Sequence, residues 1–278
     1  MKKTFGIIGK ILLGVTFSLI FIVIGSTVLT IMNLLQEWNM QLISASGIIV
    51  GALLVYVIFE RRKKWSIGLS QPKLGISLVL GMVAGIVFIS VAFLGIWVLG
   101  GIHIERVQFD SHLWSLFGLQ LFLFIFVAIG EELMCRGYIQ GVIKNSFGMW
   151  PAIYVPSIIF AMLHLANPGI LINPLPLLNI FLVGVLFSIS RELTQGLWFP
   201  IGFHLTWNLF QGNVFGFAVS GTEPGGFITV VPQGNAFLSG GSFGAEGSFV
   251  TTIIIVVGCI IGVTLLQKPK SRSVNLSR

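Results

Sequence analysis

Apolar residues in this chain come in long unbroken runs, and the polar residues collect in the short connections between them. A helix crossing about 30 Å of hydrocarbon needs roughly 20 apolar residues, because only a helix or a closed barrel satisfies its own backbone there. Barrel strands are roughly 10 residues long and alternate in polarity. These runs, rich in Leu, Ile, Val, Phe and Gly, do neither. The pattern predicts an all-α, polytopic transmembrane bundle of about eight spans, over residues 11–34, 41–59, 74–100, 113–135, 150–166, 175–190, 197–219 and 249–267. The fifth and sixth are short and flanked by Pro151, Pro168, Pro174 and Pro176, which predicts tilted or broken helices. The first follows Met1-Lys2-Lys3 in the manner of a signal peptide, but its apolar stretch is too long and no small-residue cleavage site follows. It is read as a helix. Residues 220–248, rich in Gly and nearly uncharged, read as a long flexible extracytoplasmic loop, a linker rather than a lid.

Charge placement adds a direction. Charged residues make up 9% of the chain, against roughly 25% in a soluble domain. With eight spans and the N-terminus inside, Lys2, Lys3, Lys10, Arg61, Arg62, Lys63, Lys64, Lys73, Arg136, Lys144, Arg191, Lys268, Lys270, Arg272 and Arg278 face the cytoplasm, 15 of the 16 basic residues. Only Arg106 falls outside. That asymmetry predicts both termini inside. It also accounts for the net charge of +7 through topology and attraction to anionic membrane lipid, so no nucleic-acid partner is implied. Cys135 and Cys259 are the only cysteines and form no disulfide framework. No internal repeat of the transporter kind is visible. A single membrane domain over residues 1–278 is expected.

Ionisable groups at membrane depth are costly unless paired, and so mark function. Glu131-Glu132 and Arg136 close the apolar run that begins at Leu113. On a helix Glu132 and Arg136 are i,i+4 neighbours and can pair. Glu131 points about 100° away, which leaves it free to handle a proton. An interfacial ion pair with a spare carboxylate in water would read the same way. His164 lies inside the fifth run with Phe160 one turn before it, able to pack on its ring. His204 and Asn208, again i,i+4, project together from the seventh. Two donors on one face of a dry site suit a developing oxyanion, although His and Asn also serve as interhelical glue. Together the groups can activate a water and hold a tetrahedral intermediate without a Ser or Cys nucleophile. Glu and two His are also a zinc inventory, but the spacing is not the compact HExxH arrangement. No cofactor is expected; zinc is carried as the less favoured option.

Depth poses a difficulty. With the fourth helix ending near Cys135, His164 lies deeper than His204, although catalytic groups should be level. Either the fourth helix runs on past Arg136 towards Gln140, or the fifth begins later than Trp150.

Glu131-Glu132…Arg136, then Phe160…His164, then His204…Asn208 resemble the three-motif pattern of the CPBP family. These are intramembrane endopeptidases that include type II CAAX prenyl proteases and bacteriocin-processing or self-immunity (Abi) proteins. The resemblance covers roughly residues 113–217. It implies peptide-bond hydrolysis within the membrane, with Glu131 and His164 activating water and His204 and Asn208 holding the oxyanion. Glu132 and Arg136 would then hold the site together. Family members have carried a metalloprotease label, and a glutamate-type mechanism is the reading preferred here. The implied partners are membrane lipid and a protein or peptide substrate, and the implied place is a cell membrane, with a bacterial plasma membrane expected. Two other readings use the same residues: a non-catalytic immunity or scaffold protein, and a proton-coupled transporter. A relay needs titratable groups spaced across the bilayer, whereas these converge on one half of it.

Overall fold

The structure, a computed structural model, describes residues 2–268. Lys270, Arg272 and Arg278, counted above among the inside-facing cations, lie outside the described residues, as do the side chains of Lys2 and Lys3. The helices are α1 (Lys2–Ile31), α2 (Glu37–Phe59), α3 (Leu74–Val98), α4 (Ser111–Phe147), α5 (Met149–Leu163), α6 (Leu175–Thr194), α7 (Trp198–Leu209) and α8 (Phe249–Gln267). Strand β1 (Ile102–Val107) joins α3 to α4, and β2 (Ile228–Pro232) lies between α7 and α8. The molecule is thus a helical membrane bundle with one small sheet.

Every expected span contains a helix, but the lengths differ. Six helices, α1 to α4, α6 and α8, are long and apolar enough to cross a membrane. α5 has 15 residues and α7 only 12 before its end widens into a π-turn over Phe210–Val214. α7 can be short because it does not face lipid. Every residue from Pro200 to Leu209 is buried among its neighbours. Lipid-facing apolar side chains instead stud α1, α3 and α8, where Leu12, Val83 and Ile260 are all more than half exposed.

Without a hydrophobic drive between helices in lipid, small residues decide where backbones approach. At Gly85 on α3 a Cβ would stand 2.4 Å from the Phe203 carbonyl oxygen of α7. At Gly51 on α2 it would stand 2.1 Å from Ser18 Oγ of α1. These contacts fix α3 against the central helix and α1 against α2.

The fourth span does not end at Cys135. α4 runs through to Phe147, with a π-turn over Leu133–Ile139 at its middle, so Arg136 lies deep in the bundle rather than at a cytoplasmic helix end. This removes the mismatch in depth. Glu131 stands 16 residues before Phe147 and His164 stands 15 after Met149. Each is therefore about 23 Å from the turn at Gly148.

The Gly-rich segment 220–248 is not a flexible linker. β2 pairs antiparallel with β1, with Ile102 opposite Pro232 and Val107 opposite Ile228, and a bulge at Glu105. Beyond it the chain folds into short helical turns that bury Phe243 and Ala245 completely. Gly244 shows why the segment is rich in glycine. Its φ is +92°, and a Cβ would stand 1.9 Å from the Ala218 carbonyl oxygen. Many glycines and little charge suggested a flexible linker; here glycine allows tight crossings of a cap.

The structure puts Lys10, Glu60, Lys63 and Lys144 near one end of the bundle and Arg106 in the sheet at the other. Glu60 is held below the usual carboxylate range: burial opposes its charge, and Lys10 and Lys63 more than offset that. We expect the Lys-rich end to face the cytoplasm. A membrane-impermeant maleimide applied to intact cells should label Gln233→Cys, exposed beside the sheet, and spare Arg62→Cys. The reverse pattern would overturn the orientation.

Candidate active site

Behind the site lies an ion pair sealed from solvent. Arg136 Nη1 donates to Glu132 Oε1 at 2.9 Å, and both side chains are 0% exposed. The guanidinium stacks over the Phe160 ring at 4.2 Å and near Phe187 at 5.2 Å, so two aromatic faces replace part of its hydration. Gly184 on α6 makes the room; a Cβ there would stand 3.2 Å from Arg136 Nη2. Because Arg136 sits inside a π-turn, a geometry frequent at functional sites, its surroundings close on it from every side: all seven residues of that turn are buried.

His204 joins the pair. Its Nδ1 lies 3.1 Å from Glu132 Oε1 and its Nε2 lies 3.8 Å from Glu131 Oε2, so the imidazole sits between the two adjacent carboxylates. A carboxylate only accepts, so Nδ1 carries the proton towards Glu132. This link was not foreseen; Glu132 had been assigned to Arg136 alone. Phe187 stacks on the imidazole at 5.6 Å and holds its plane. His164, at the C-cap of α5, places Nδ1 2.8 Å from the Phe160 carbonyl, which can only accept. In the neutral ring that bond puts the lone pair on Nε2. Phe160 packs edge-on against His164 at 4.6 Å, as the i,i+4 spacing predicts.

The four remaining groups meet at one opening. Glu131, His164, His204 and Asn208 all line a cavity of about 180 Å³ enclosed by α4, α5, α6, α7 and the cap. Glu131 keeps 24% of its side chain exposed there, whereas Glu132 has none. The structure thus gathers all six sequence-identified residues, four at the cavity wall and two behind it. Among the described residues, no group of three His, Cys, Asp or Glu is placed to hold a metal ion.

Residues 113–210 match the family model for type II CAAX prenyl endopeptidase, Rce1-like. That segment is Rce1-like. It runs from early α4 through the whole of α7 and contains every one of the six residues above. At family level that segment is CAAX-protease-like, and with six helices long and apolar enough to cross a membrane the chain is a multi-pass membrane protein. A search of curated proteins finds no match.

Two wall residues, Glu246 and Asn179, escaped the sequence reading. Glu246, from the cap and outside the Rce1-like segment, lines the same cavity. Its Oε2 accepts from Ser220 N–H at 2.7 Å and from Gln211 Nε2 at 3.3 Å. Burial raises its carboxyl above the usual range, against those bonds and the attraction of His164. Asn179 of α6 donates to the Glu246 and Ser248 carbonyls at 2.7 and 3.0 Å, tying the cap to the bundle. The available signals were weak: one amide in an apolar helix, and one of two carboxylates in a nearly uncharged loop.

Removing Arg136 strands a fully buried carboxylate, and breaking such a pair typically costs about 3–5 kcal/mol. Arg136→Ala should therefore lower folded yield and thermal midpoint in detergent. Arg136→Lys should not rescue it, since an ammonium cannot lie flat between two rings. Wild-type yield and midpoint in Arg136→Ala would show that the pair is not structural.

Proposed function

We propose that this protein is an intramembrane endopeptidase that cleaves a peptide bond of a protein or peptide substrate with a water activated by Glu131 and His164. The observation that carries this reading is the single cavity onto which Glu131, His164, His204 and Asn208 open while Glu132 and Arg136 stay sealed behind it.

The roles follow from the contacts. Glu131 has the partly exposed carboxylate and takes the proton from water. His164 Nε2, the lone-pair nitrogen, accepts from the same water and orients it. The water oxygen adds to the substrate carbonyl, whose oxygen becomes the oxyanion. Asn208 Nδ2 and His204 Nε2–H donate to that oxyanion. A His204 donating from both nitrogens carries positive charge, and Glu132 balances it. Charge then closes across the site: Glu131 and Glu132 against Arg136 and His204 before attack, and the oxyanion in place of Glu131 afterwards. Negative charge moves a few ångströms and none is created, which is what a poorly solvated site favours. Collapse of the intermediate returns the Glu131 proton to the departing amine.

Glu131→Gln keeps the shape and removes the base, so hydrolysis of a cleaved membrane substrate should fall by roughly 10²–10⁴. Asn208→Ala should lower turnover by about 10²–10³. Both should still fold, since Asn208 carries no charge and Glu131 is partly exposed. Unchanged cleavage in Glu131→Gln would overturn the assignment, and no cleavage by the parent of any protein in its own membrane would favour a scaffold. Metal analysis of active protein tests the glutamate mechanism. Stoichiometric zinc lost in His164→Ala and His204→Ala, with activity restored only by added metal, would replace it.

A further inference from the structure

At the Lys-rich end of the bundle a second hollow, of about 380 Å³, opens between the α2–α3 connection, the last turns of α4 and the end of α6. Its charged lining is Lys64, Lys144, Arg191 and Glu192, a net charge of +2 from three cations and one carboxylate. Glu192 is already occupied. It pairs with Lys144 and with Arg191 Nη1 at 3.2 Å, and Gln140 Nε2 donates to it at 3.1 Å. Arg191 Nη2 donates to the Ser66 carbonyl at 3.3 Å. Arg191 Nε has no partner, although the residue is only 8% exposed. Lys64 makes no ion pair or hydrogen bond among the described residues and stands exposed at the rim.

The adjoining hollow provides a contrast. Lys10 and Lys63 line it, and both are bound to Glu60 at 2.7 Å. Both of its cations have a partner within the chain, and the net charge left is +1. Beside this hollow Arg191 Nε has no acceptor within the protein, and the ammonium of Lys64, which also lines it, is unpaired. An unpaired buried donor is costly. Guanidinium and ammonium groups together suit phosphate oxygens. The hollow also lies at the helix ends, where the apolar runs of the spans give way to Lys64, Lys144 and Arg191.

We propose that this hollow is a binding site for the phosphate of an anionic phospholipid, with Arg191 and Lys64 as its donors and Lys144 adding field. The lipid is favoured over free phosphate because the hollow sits at the headgroup level of a protein embedded in lipid. A headgroup held there would brace the end of α6 against α4, the two helices that carry Gly184 and Arg136.

Native mass spectrometry of the full-length protein in detergent, titrated with phosphatidylglycerol, tests this independently of any proteolytic activity. The parent should bind one phosphatidylglycerol in preference to phosphatidylcholine. Lys64→Gln should weaken that binding about fivefold. Arg62→Gln, an equal charge change on the same connection but outside the hollow, should weaken it less than about twofold. Inorganic phosphate should compete poorly. Equal weakening by the two variants would show diffuse attraction and overturn the site. So would the absence of headgroup preference, or displacement of the lipid by inorganic phosphate alone.

Discussion

A carboxylate and a guanidinium removed from water in the middle of a membrane protein constrain everything built around them. Their mutual attraction must offset the loss of hydration of both, and it does so only with good geometry and further partners. In this bundle the Glu132–Arg136 pair accordingly recruits residues from three other helices. Phe160 of α5 and Phe187 of α6 present their ring faces, Gly184 withdraws to admit the guanidinium, and His204 of α7 donates to the oxygen that Arg136 already holds. The pair also requires the widened turn of α4 in which Arg136 sits. Moving α5, α6 or α7 would strip the buried pair of its ring faces or of the His204 bond, so the pair constrains how these helices stand against α4.

That arrangement explains why neighbouring glutamates have different characters. One helical step separates Glu131 from Glu132, and the step is enough to direct one to the cavity and the other to the sealed interior. The same imidazole touches both. His204 is therefore the point at which structure and chemistry meet: its Nδ1 belongs to the buried network and its Nε2 to the cavity. Phe160 has a comparable double duty, giving its ring to Arg136 and its carbonyl to His164.

The bundle and the six polar residues were legible in the sequence because lipid imposes a simple cost. Long apolar runs must be helices, and an ionisable residue within one must have a reason. The i,i+4 spacings also translated directly, as Phe160 on His164 and Glu132 with Arg136 show. Three things were not legible. Hydropathy ends a span where a charge appears, and so cut α4 short at Arg136; a charge neutralised by tertiary partners does not end a helix. The bond between His204 and Glu132 joins residues 72 apart, and no local pattern encodes it. The cap was mistaken for a linker because its glycines serve close crossings at positive φ, as at Gly244, and composition does not distinguish that use from flexibility.

The cap has a consequence for how the protein is made. β1 precedes the first motif helix, while its partner β2 and the turn carrying Glu246 follow the last. The outer wall of the cavity therefore joins segments emerging early and late from the ribosome, with four helices to be placed between them. Contacts of such long sequence separation form late. A nascent chain holding α4, α5 and α7 already possesses its carboxylates and imidazoles, yet lacks a closed compartment until residues 228–248 arrive and α8 follows. Closure of the site thus waits for the synthesis of residues 228–267.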